Sequence, residues 1–190
     1  MPEINDLPNE LIVETFSYLE LSDLIRCMRV NKCFKAIIEH SAFDKIFFRT
    51  KAIKFGDPIN LDNLQLNPAF DPLHYTSRSK IDNTLFLFSY KESEGKDGIR
   101  ELPLTESSAA KQNATEPAVT RIYLRPYGDP EIEVEVESDQ GVTVQDVMQG
   151  LCDYYEPGIP YDRCHYFFEG FYKNEESTEN ELILEAHWGS

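Results

Sequence analysis

The sequence of 190 residues predicts an α+β protein, in which three to four short helices precede a small mixed α+β domain with a strand-strand-helix-strand-strand core. Apolar residues recur at helical spacing through the N-terminal part. Residues 131–137 read EIEVEVE, and this alternation is typical of a strand with one buried face. The apolar spacing after Thr143 predicts a helix between two pairs of strands. We expect a helical module at 4–50, a connecting region at 51–118 and an acidic α+β domain at 119–190.

The N-terminal module shows the helical pattern most clearly. Apolar residues recur three and four positions apart over 7–19, 21–28 and 30–38, which predicts three short helices. Ser41 followed three residues later by Asp44 resembles a capping box and predicts a fourth.

The connecting region changes in character along its length. Prolines, asparagines and aspartates predict turns and extended loop over 57–73. The apolar run TLFLFSY predicts a strand over 84–90. Residues 91–117 are rich in Glu, Ser, Lys, Gly and Ala, which have little to bury, and they predict a partly mobile loop that is an insertion.

The C-terminal region carries four strand candidates and one helix. Residues 121–125 and the EIEVEVE segment form the first pair, and the second segment turns four glutamates away from the core. Thr143 and Asp146 form a capping box at the start of the helix. Aromatic and apolar runs predict the last two strands over 164–172 and 181–188.

The charge of the chain is unevenly distributed. Residues 1–56 hold eight basic and eight acidic residues, whereas the remainder holds 10 and 26 and carries the whole net charge of −16. Such a surface repels phosphate backbones and anionic membranes, so we expect neither nucleic acid nor membrane as a partner. It permits a basic protein partner, although an acidic surface that maintains solubility explains the same composition.

Residues capable of catalysis or metal binding are scattered. The four cysteines show no metal-type spacing and are expected to be reduced thiols: Cys27, Cys33, Cys152 and Cys164. No motif supports a nucleophilic site or a phosphate loop, so we expect no catalytic residue, no metal and no cofactor. No apolar run reaches the length of a signal peptide or a membrane span, and we expect a cytoplasmic and/or nuclear protein.

The helical module carries more apolar surface than it can bury. Apolar residues lie on more than one side of its helices, and a segment of about 45 residues has too small a core to accept them all. The surplus surface must meet either the rest of the chain or another protein.

This module resembles the F-box family. The resemblance is carried by Leu7-Pro8-x-Glu10-Leu11, Phe16-Ser-Tyr-Leu19, Leu21-Ser-Asp23-Leu24, Cys27-Met-Arg-Val30-Asn-Lys-Cys-Phe34 and Phe43, with no insertion between them. Two positions depart from the family pattern. Phe34 stands where a Trp flanked by Arg or Lys is usual, and Asp44 stands where a second Trp is frequent.

The resemblance implies that the module docks on the Skp-type adaptor of a cullin–RING ubiquitin ligase of the SCF type. The residues implied to make that contact, or to hold the helices that make it, are Leu7, Pro8, Leu11, Ile12, Phe16, Leu19, Leu21, Leu24, Ile25, Val30, Phe34 and Ile37. In this interpretation the chain is a non-catalytic substrate receptor whose client, of unknown identity, is sent to proteasomal degradation.

The C-terminal region resembles an uncharacterised domain of fungal proteins that is sometimes attached to F-boxes. Residues 67–73, 114–117 and 141–147 carry this resemblance. The predicted order of strands and helix is also similar to ubiquitin-like β-grasp modules. Neither resemblance identifies a ligand, and we interpret the region as the client-binding part.

Aromatic residues are concentrated near the C-terminus. Most are expected to form core and rim, and any exposed member would indicate a partner site: Tyr154, Tyr155, Tyr161, Tyr166, Phe167, Phe168, Phe171 and Tyr172. Trp188, the only Trp, is expected to close the core at a strand end.

Two other functions stay open at this point. The chain could bind the adaptor without delivering clients, as a scaffold or competitor. It could also be a small enzyme with a helical appendage, which would require a polar pocket with perturbed carboxylates.

Overall fold

The chain folds as two compact units, residues 1–50 and 51–190, and each has its own hydrophobic core. A computed structural model describes residues 7–91, 97–126, 131–155 and 167–189. Helices form the first unit, and strands with one long helix form the second, so the predicted α+β class is confirmed.

The first unit contains the three predicted helices. They are α1 (Asn9–Phe16), α2 (Leu21–Met28) and α3 (Lys32–Ile38). Asn31 caps α3, because its side-chain oxygen accepts a hydrogen bond of 2.8 Å from the backbone N–H of Phe34. The helices are too short to be stable alone, so their packing against each other must stabilise them.

The predicted fourth helix and its capping box are wrong. A single 3-10 turn, Ser41–Phe43, occupies this place, and the ring nitrogen Nδ1 of His40 accepts from the backbone N–H of Ala42 at 3.2 Å. The physical reason is that the Asp44 carboxylate pairs with Arg49, with Oδ1 and Nη2 3.3 Å apart, and does not act as a cap.

The core of the first unit is made of eight buried apolar side chains. At its centre the rings of Phe16 and Phe34 pack edge to face with centroids 5.1 Å apart. The full set is Ile12, Phe16, Leu24, Phe34, Ile37, Ile38, Phe43 and Phe47.

The second unit contains nine strands and the helix α4 (Val144–Tyr154) among the described residues. The strands are β1 (Gln65–Leu66), β2 (Leu73–His74), β3 (Leu85–Lys91), β4 (Asp97–Pro103), β5 (Thr115–Glu116), β6 (Arg121–Arg125), β7 (Val134–Glu137), β8 (Phe167–Lys173) and β9 (Ile183–Gly189). β2, β3 and β4 form an antiparallel sheet, and β1 pairs with β5.

The largest sheet has the strand order β7-β6-β9-β8. β6 and β9 lie parallel at its centre, with Tyr123 opposite Ile183, and the outer strands pair with them antiparallel. α4 packs on one face of β6 and β7. The predicted strand-strand-helix-strand-strand order is confirmed, and first and last strands that run parallel at the centre agree with the resemblance to β-grasp modules.

The start of α4 is the capping box that the sequence predicts. The backbone N–H of Thr143 donates to the Asp146 carboxylate at 2.9 Å, and the backbone N–H of Asp146 donates to the Thr143 hydroxyl at 3.2 Å. The apolar stripe of the helix is buried, as expected: Val144, Val147, Met148 and Leu151.

The loop predicted for the end of the connecting region is wrong where the structure describes it. Residues 97–103 form β4, residues 104–106 and 108–111 form 3-10 turns, and β5 follows them. Small side chains allow this segment to pack tightly on the core, which composition does not reveal. Its buried apolar residues are Leu104, Ala109, Ala110 and Ala114. Residues 92–96 lie outside the described part of the chain.

Two predicted strands are shorter than expected. β7 begins at Val134 and not at residue 131, although inward and outward side chains alternate through the segment. β8 begins at Phe167, and residues 156–166 before it lie outside the described ranges, as does the turn predicted at 127–130.

Candidate functional site

The twelve residues that the F-box resemblance assigns to adaptor docking have different exposures in the first unit. The exposed members are Leu7, Pro8, Leu11, Ile25 and Val30. Two others are half-buried, Leu19 and Leu21. The buried members belong to the core, and they are Ile12, Phe16, Leu24, Phe34 and Ile37.

The exposed members form what we call the docking residues: Leu7, Pro8, Leu11, Ile25 and Val30. Val30 leaves 66% of its surface in solvent and Leu11 leaves 47%. Several large aliphatic side chains exposed on so small a unit are consistent with a surface for a protein partner. Burying the exposed part of Leu7, Leu11, Ile25 or Val30 would contribute about half of the 1.5–3 kcal/mol that complete burial of such a side chain is worth, before the costs of association.

The two departures from the F-box pattern have structural roles inside the unit. Phe34 points into the core against Phe16, so it holds α1 and α3 together. Asp44 pairs with Arg49, whose guanidinium also lies 4.9 Å from the ring centre of Phe47 and donates to the carbonyl oxygen of Ile38. Asp44 therefore fixes the end of the module where an aromatic residue is frequent in the family.

One exposed aromatic residue of this unit was missed by sequence reasoning. Tyr18 leaves 81% of its surface in solvent, just after the end of α1. Its position outside the apolar stripe of α1 is the signal that could have identified it.

In the second unit, two arginines of β6 form ion pairs with the glutamates around β7. Arg125 donates through Nε and Nη2 to Glu133, and its Nη1 lies 2.7 Å from Glu176. Hydrogen bonds to Glu133 outweigh burial and raise the pKa of Arg125. This guanidinium is almost fully buried, and its charge is satisfied within the chain.

Arg121, at the other end of β6, is held in a similar way. Its Nε lies 2.9 Å from Glu135 and its Nη2 lies 2.8 Å from Glu137. The guanidinium also stacks 3.8 Å from the ring centre of Phe55. The hydrogen bond to Glu137 is the main cause that raises the pKa of Arg121. The acidic outer face expected for this strand is therefore largely paired.

The outer face of β8 and β9 carries exposed aromatic side chains. Phe167 leaves 50% of its surface in solvent and Tyr172 leaves 44%. The ring of His187 lies 6.4 Å from that of Tyr172, and its Nδ1 lies 3.5 Å from Oε2 of Glu169. Burial, and then a hydrogen bond to Glu185, raise the pKa of Tyr172 to about 12.

The other aromatic residues of the C-terminal cluster that the structure describes form core and rim. Phe168 is buried, and Trp188 packs beside it and donates through Nε1 to the carbonyl oxygen of Pro126 at 2.7 Å. Tyr155 contacts the same indole ring. Tyr161 and Tyr166 lie outside the described residues.

The described part of the chain contains few features of a metal site or a nucleophilic cysteine site. No three side chains of His, Cys, Asp or Glu are placed there to hold a metal ion. Cys27, Cys33 and Cys152 carry free thiols, whereas Cys164 lies outside the described ranges. Burial raises the pKa of the Cys152 thiol to about 11, which disfavours the thiolate that nucleophilic attack requires.

Of the helices within the described ranges, none combines the length and the apolar character that crossing a bilayer requires.

Comparison with known families agrees with the division into two units. A family model described as F-box-like matches residues 4–49. A second model, described as a family of unknown function (DUF6699), matches residues 73–188. No curated protein and no solved structure matches the chain.

Proposed function

The chain belongs to the family of unknown function DUF6699 and carries an F-box-like domain at residues 4–49, and we infer from this that it is a client-recruiting subunit of a cullin–RING ubiquitin ligase. An F-box-like domain implies binding to a Skp-type adaptor in general, and proteins with such domains are typically non-catalytic subunits. Neither family description names a catalytic activity.

The observation that carries the adaptor part of the proposal is the exposure of the docking residues. Five of the twelve residues carried over from the family are exposed on a unit whose own core is already complete. A few large apolar anchors dominate the affinity of most protein interfaces. The core members of the set act indirectly, because they fix the helices that present the anchors.

We propose that the second unit holds the client. It comprises 140 residues with its own core, far more than adaptor docking requires. Ubiquitin transfer itself is assigned to the other subunits of the ligase, because proteins with F-box-like domains are typically non-catalytic subunits.

Adaptor docking is tested by placing a charge on an exposed docking residue. Leu11→Asp and Val30→Asp, made separately in the full chain, should each weaken binding to the Skp-type adaptor about tenfold or more, since an unpaired carboxylate would be buried at the interface. Binding is measured by isothermal titration calorimetry. Ile99→Asp is the matched control, because Ile99 is an equally exposed aliphatic residue of the second unit.

The choice of position decides whether this test is informative. Phe16 lies in the core, so Phe16→Asp would unfold the unit and abolish binding for any function. Full adaptor affinity in both Leu11→Asp and Val30→Asp, with helical circular dichroism unchanged, would refute adaptor docking through these residues.

Measurement of protein half-lives distinguishes client delivery from a scaffold or competitor role. If the chain recruits clients, its removal from cells lengthens the half-life of at least one protein that co-purifies with it. The Leu11→Asp chain should fail to restore the short half-life. A competitor role predicts the opposite sign, because freed adaptor then accelerates turnover.

A further inference from the structure

An irregularity in β8 lies at a carboxylate on the outer face of the sheet. Phe168 lies opposite Trp188, but the next pair along is Gly170 and His187, so Glu169 is an extra residue in a β-bulge. Gly170 has φ of 122°, which a residue with a side chain rarely adopts. The bulge places the Glu169 carboxylate next to His187, 3.5 Å from its Nδ1.

His187, the partner of this carboxylate, is one of several exposed rings on β8, β9 and the neighbouring β2. The ring of His74 lies 6.2 Å from that of Phe167, and Tyr172 and His187 form a second pair. All of these side chains are exposed. We call this group the β8–β9 platform, and its members are His74, Phe167, Glu169, Tyr172 and His187.

The platform is negatively charged without a fixed cation. Within the described residues, the ion pair of Glu169 is with His187, an imidazole that is charged only when protonated. The neighbouring Glu185 accepts a hydrogen bond of 2.6 Å from the amide of Asn174. The glutamates around β7 differ, because each of Glu133, Glu135 and Glu137 pairs with a guanidinium group of β6.

Backbone groups at the start of β8 already form hydrogen bonds with the segment that follows β2. The N–H of Phe168 donates to the carbonyl oxygen of Tyr75 at 3.1 Å, and Thr76 pairs with Phe167. A partner here would therefore be recognised by side chains and not by addition of a strand.

We propose that the β8–β9 platform binds a lysine or arginine side chain in an extended segment of the client, a proposal that rests on the client-recruiting function. A cation over the face of Tyr172 or Phe167 gains from the ring electrons, and Glu169 supplies the opposite charge. The charge of the second unit, with 12 basic and 26 acidic residues, agrees with a basic partner.

The test uses the full chain and a labelled peptide of about ten residues that alternates lysine and threonine, with binding measured by fluorescence anisotropy. Glu169→Gln and Tyr172→Ala should each lower the affinity about threefold to tenfold. The same peptide with every lysine acetylated should not bind, because it lacks the cation.

Glu101→Gln is the matched control, because Glu101 is exposed on β4 and the substitution removes the same charge. An equal loss of affinity in Glu101→Gln and Glu169→Gln would mean that the whole acidic surface attracts the peptide, and would overturn the proposal. Absence of peptide binding to the unaltered chain would overturn it as well.

Two further measurements keep the outcomes separate. Tyr172→Phe retains the aromatic ring and should bind the peptide nearly as well as the unaltered chain. If Tyr172→Ala loses its circular dichroism signal, the variant is unfolded. The comparison of peptide affinity between Glu169→Gln and Glu101→Gln then decides whether the platform binds the peptide. Adaptor affinity is measured on the same variants: loss of peptide binding with full adaptor affinity bears on the platform alone, whereas failed adaptor binding in the unaltered chain refutes the ligase function.

Discussion

The hydroxyl group of Tyr75 is buried at the centre of the second unit without a regular hydrogen-bond partner. The same is true of the Thr84 hydroxyl, and the thiol of Cys152 lies beside both. A thiol is a weak donor and a weak acceptor, so it compensates little for the loss of water. Burial accordingly raises the pKa of Tyr75 well above its usual range.

Removal of the Tyr75 hydroxyl should therefore not destabilise the second unit. We predict that Tyr75→Phe leaves the free energy of unfolding unchanged or raises it by about 1 kcal/mol, because an unsatisfied polar group leaves the core. Urea denaturation monitored by circular dichroism measures the change. A loss of stability on the same scale would show that the hydroxyl has a strong partner.

The Cys152 thiol gives the second unit a stability that depends on pH in the alkaline range. Its pKa is raised from 9.0 to about 11, chiefly by burial, so the unfolded chain releases this proton at lower pH than the folded chain does. The contribution of this thiol to the stability of the second unit is therefore fully present below pH 9, and it is lost as the pH rises toward 11. The slope due to this one thiol is about 1.4 kcal/mol per pH unit.

Cys152→Ala should flatten the pH dependence by that slope, whatever it does to stability at neutral pH. The measurement is urea denaturation at several pH values under reducing conditions. Cys33→Ala is the control, because Cys33 is an exposed free thiol. An equal flattening in both variants would contradict the assignment to Cys152.

Sequence alone could identify which residues belong to the docking module but not how each one acts. Leu11 and Ile12 are adjacent and equally apolar, yet only Ile12 is buried. Which side of a helix faces the core depends on how the helices cross, and that is a property of the packed unit. The pairing of Asp44 with Arg49 has no local sequence signal either.

At the scale of elements, α4 lies so close to the sheet that one of its positions has no room for a side chain. A Cβ atom at Gly150 would lie 2.7 Å from Cγ2 of Val136 and 3.2 Å from Cδ1 of Leu124. Glycine is unfavourable inside a helix, so close approach to β6 and β7 explains its presence.

Gly150→Ala should destabilise the second unit by about 1–3 kcal/mol, since overpacking of the core exceeds the gain in helix propensity. Thermal denaturation monitored by circular dichroism measures it. Gln145→Ala, at a half-buried position of the same helix, should change stability little. A more stable Gly150→Ala chain would mean that the helix can move away from the sheet at little cost.

Elements with strong local signals were predictable. The capping box at Thr143 and the strand at 121–125 required only a motif and an alternation, both of which act within a few residues. Residues 104–116 were not predictable as ordered structure, because their alanines gain stability from contacts with distant parts of the chain. Similarly, the glycine at position 170 indicated no bulge until its partner strand was known.

At the scale of the whole molecule, the chain has two cores that need not unfold together. If the first unit docks on the adaptor, ligand binding stabilises that unit alone. Adaptor at 100 times its dissociation constant should raise the unfolding free energy of the first unit by about 2.7 kcal/mol and leave the second unit unchanged.

Hydrogen exchange resolved by residue can follow the two units separately. Amides of α2 and α3 should exchange more slowly with adaptor present, whereas those of β6 and β9 should not change. Val30→Asp should abolish the slowing. Equal protection of both units would show that they unfold as one.

The division of charge was visible in the sequence, but its consequence for the surface was not. Counting shows that the excess of acidic over basic residues lies after residue 56. Only the structure shows that the arginines of β6 pair with several of them, while Glu169 has an imidazole as its partner. The candidate client surface therefore depends on long-range pairing that composition does not contain.

The acidic strand β7 also bears on how copies of this chain behave at high concentration. β7 ends the four-stranded sheet and, within the described residues, pairs with β6 alone, so one row of backbone donors and acceptors faces outward. Two such edges would have to bring Glu135 and Glu137 of each copy together to associate. The single Arg121 that pairs with both leaves each copy with an excess negative charge, and these charges repel. The glutamates of β7 thus protect an open sheet edge from aggregation.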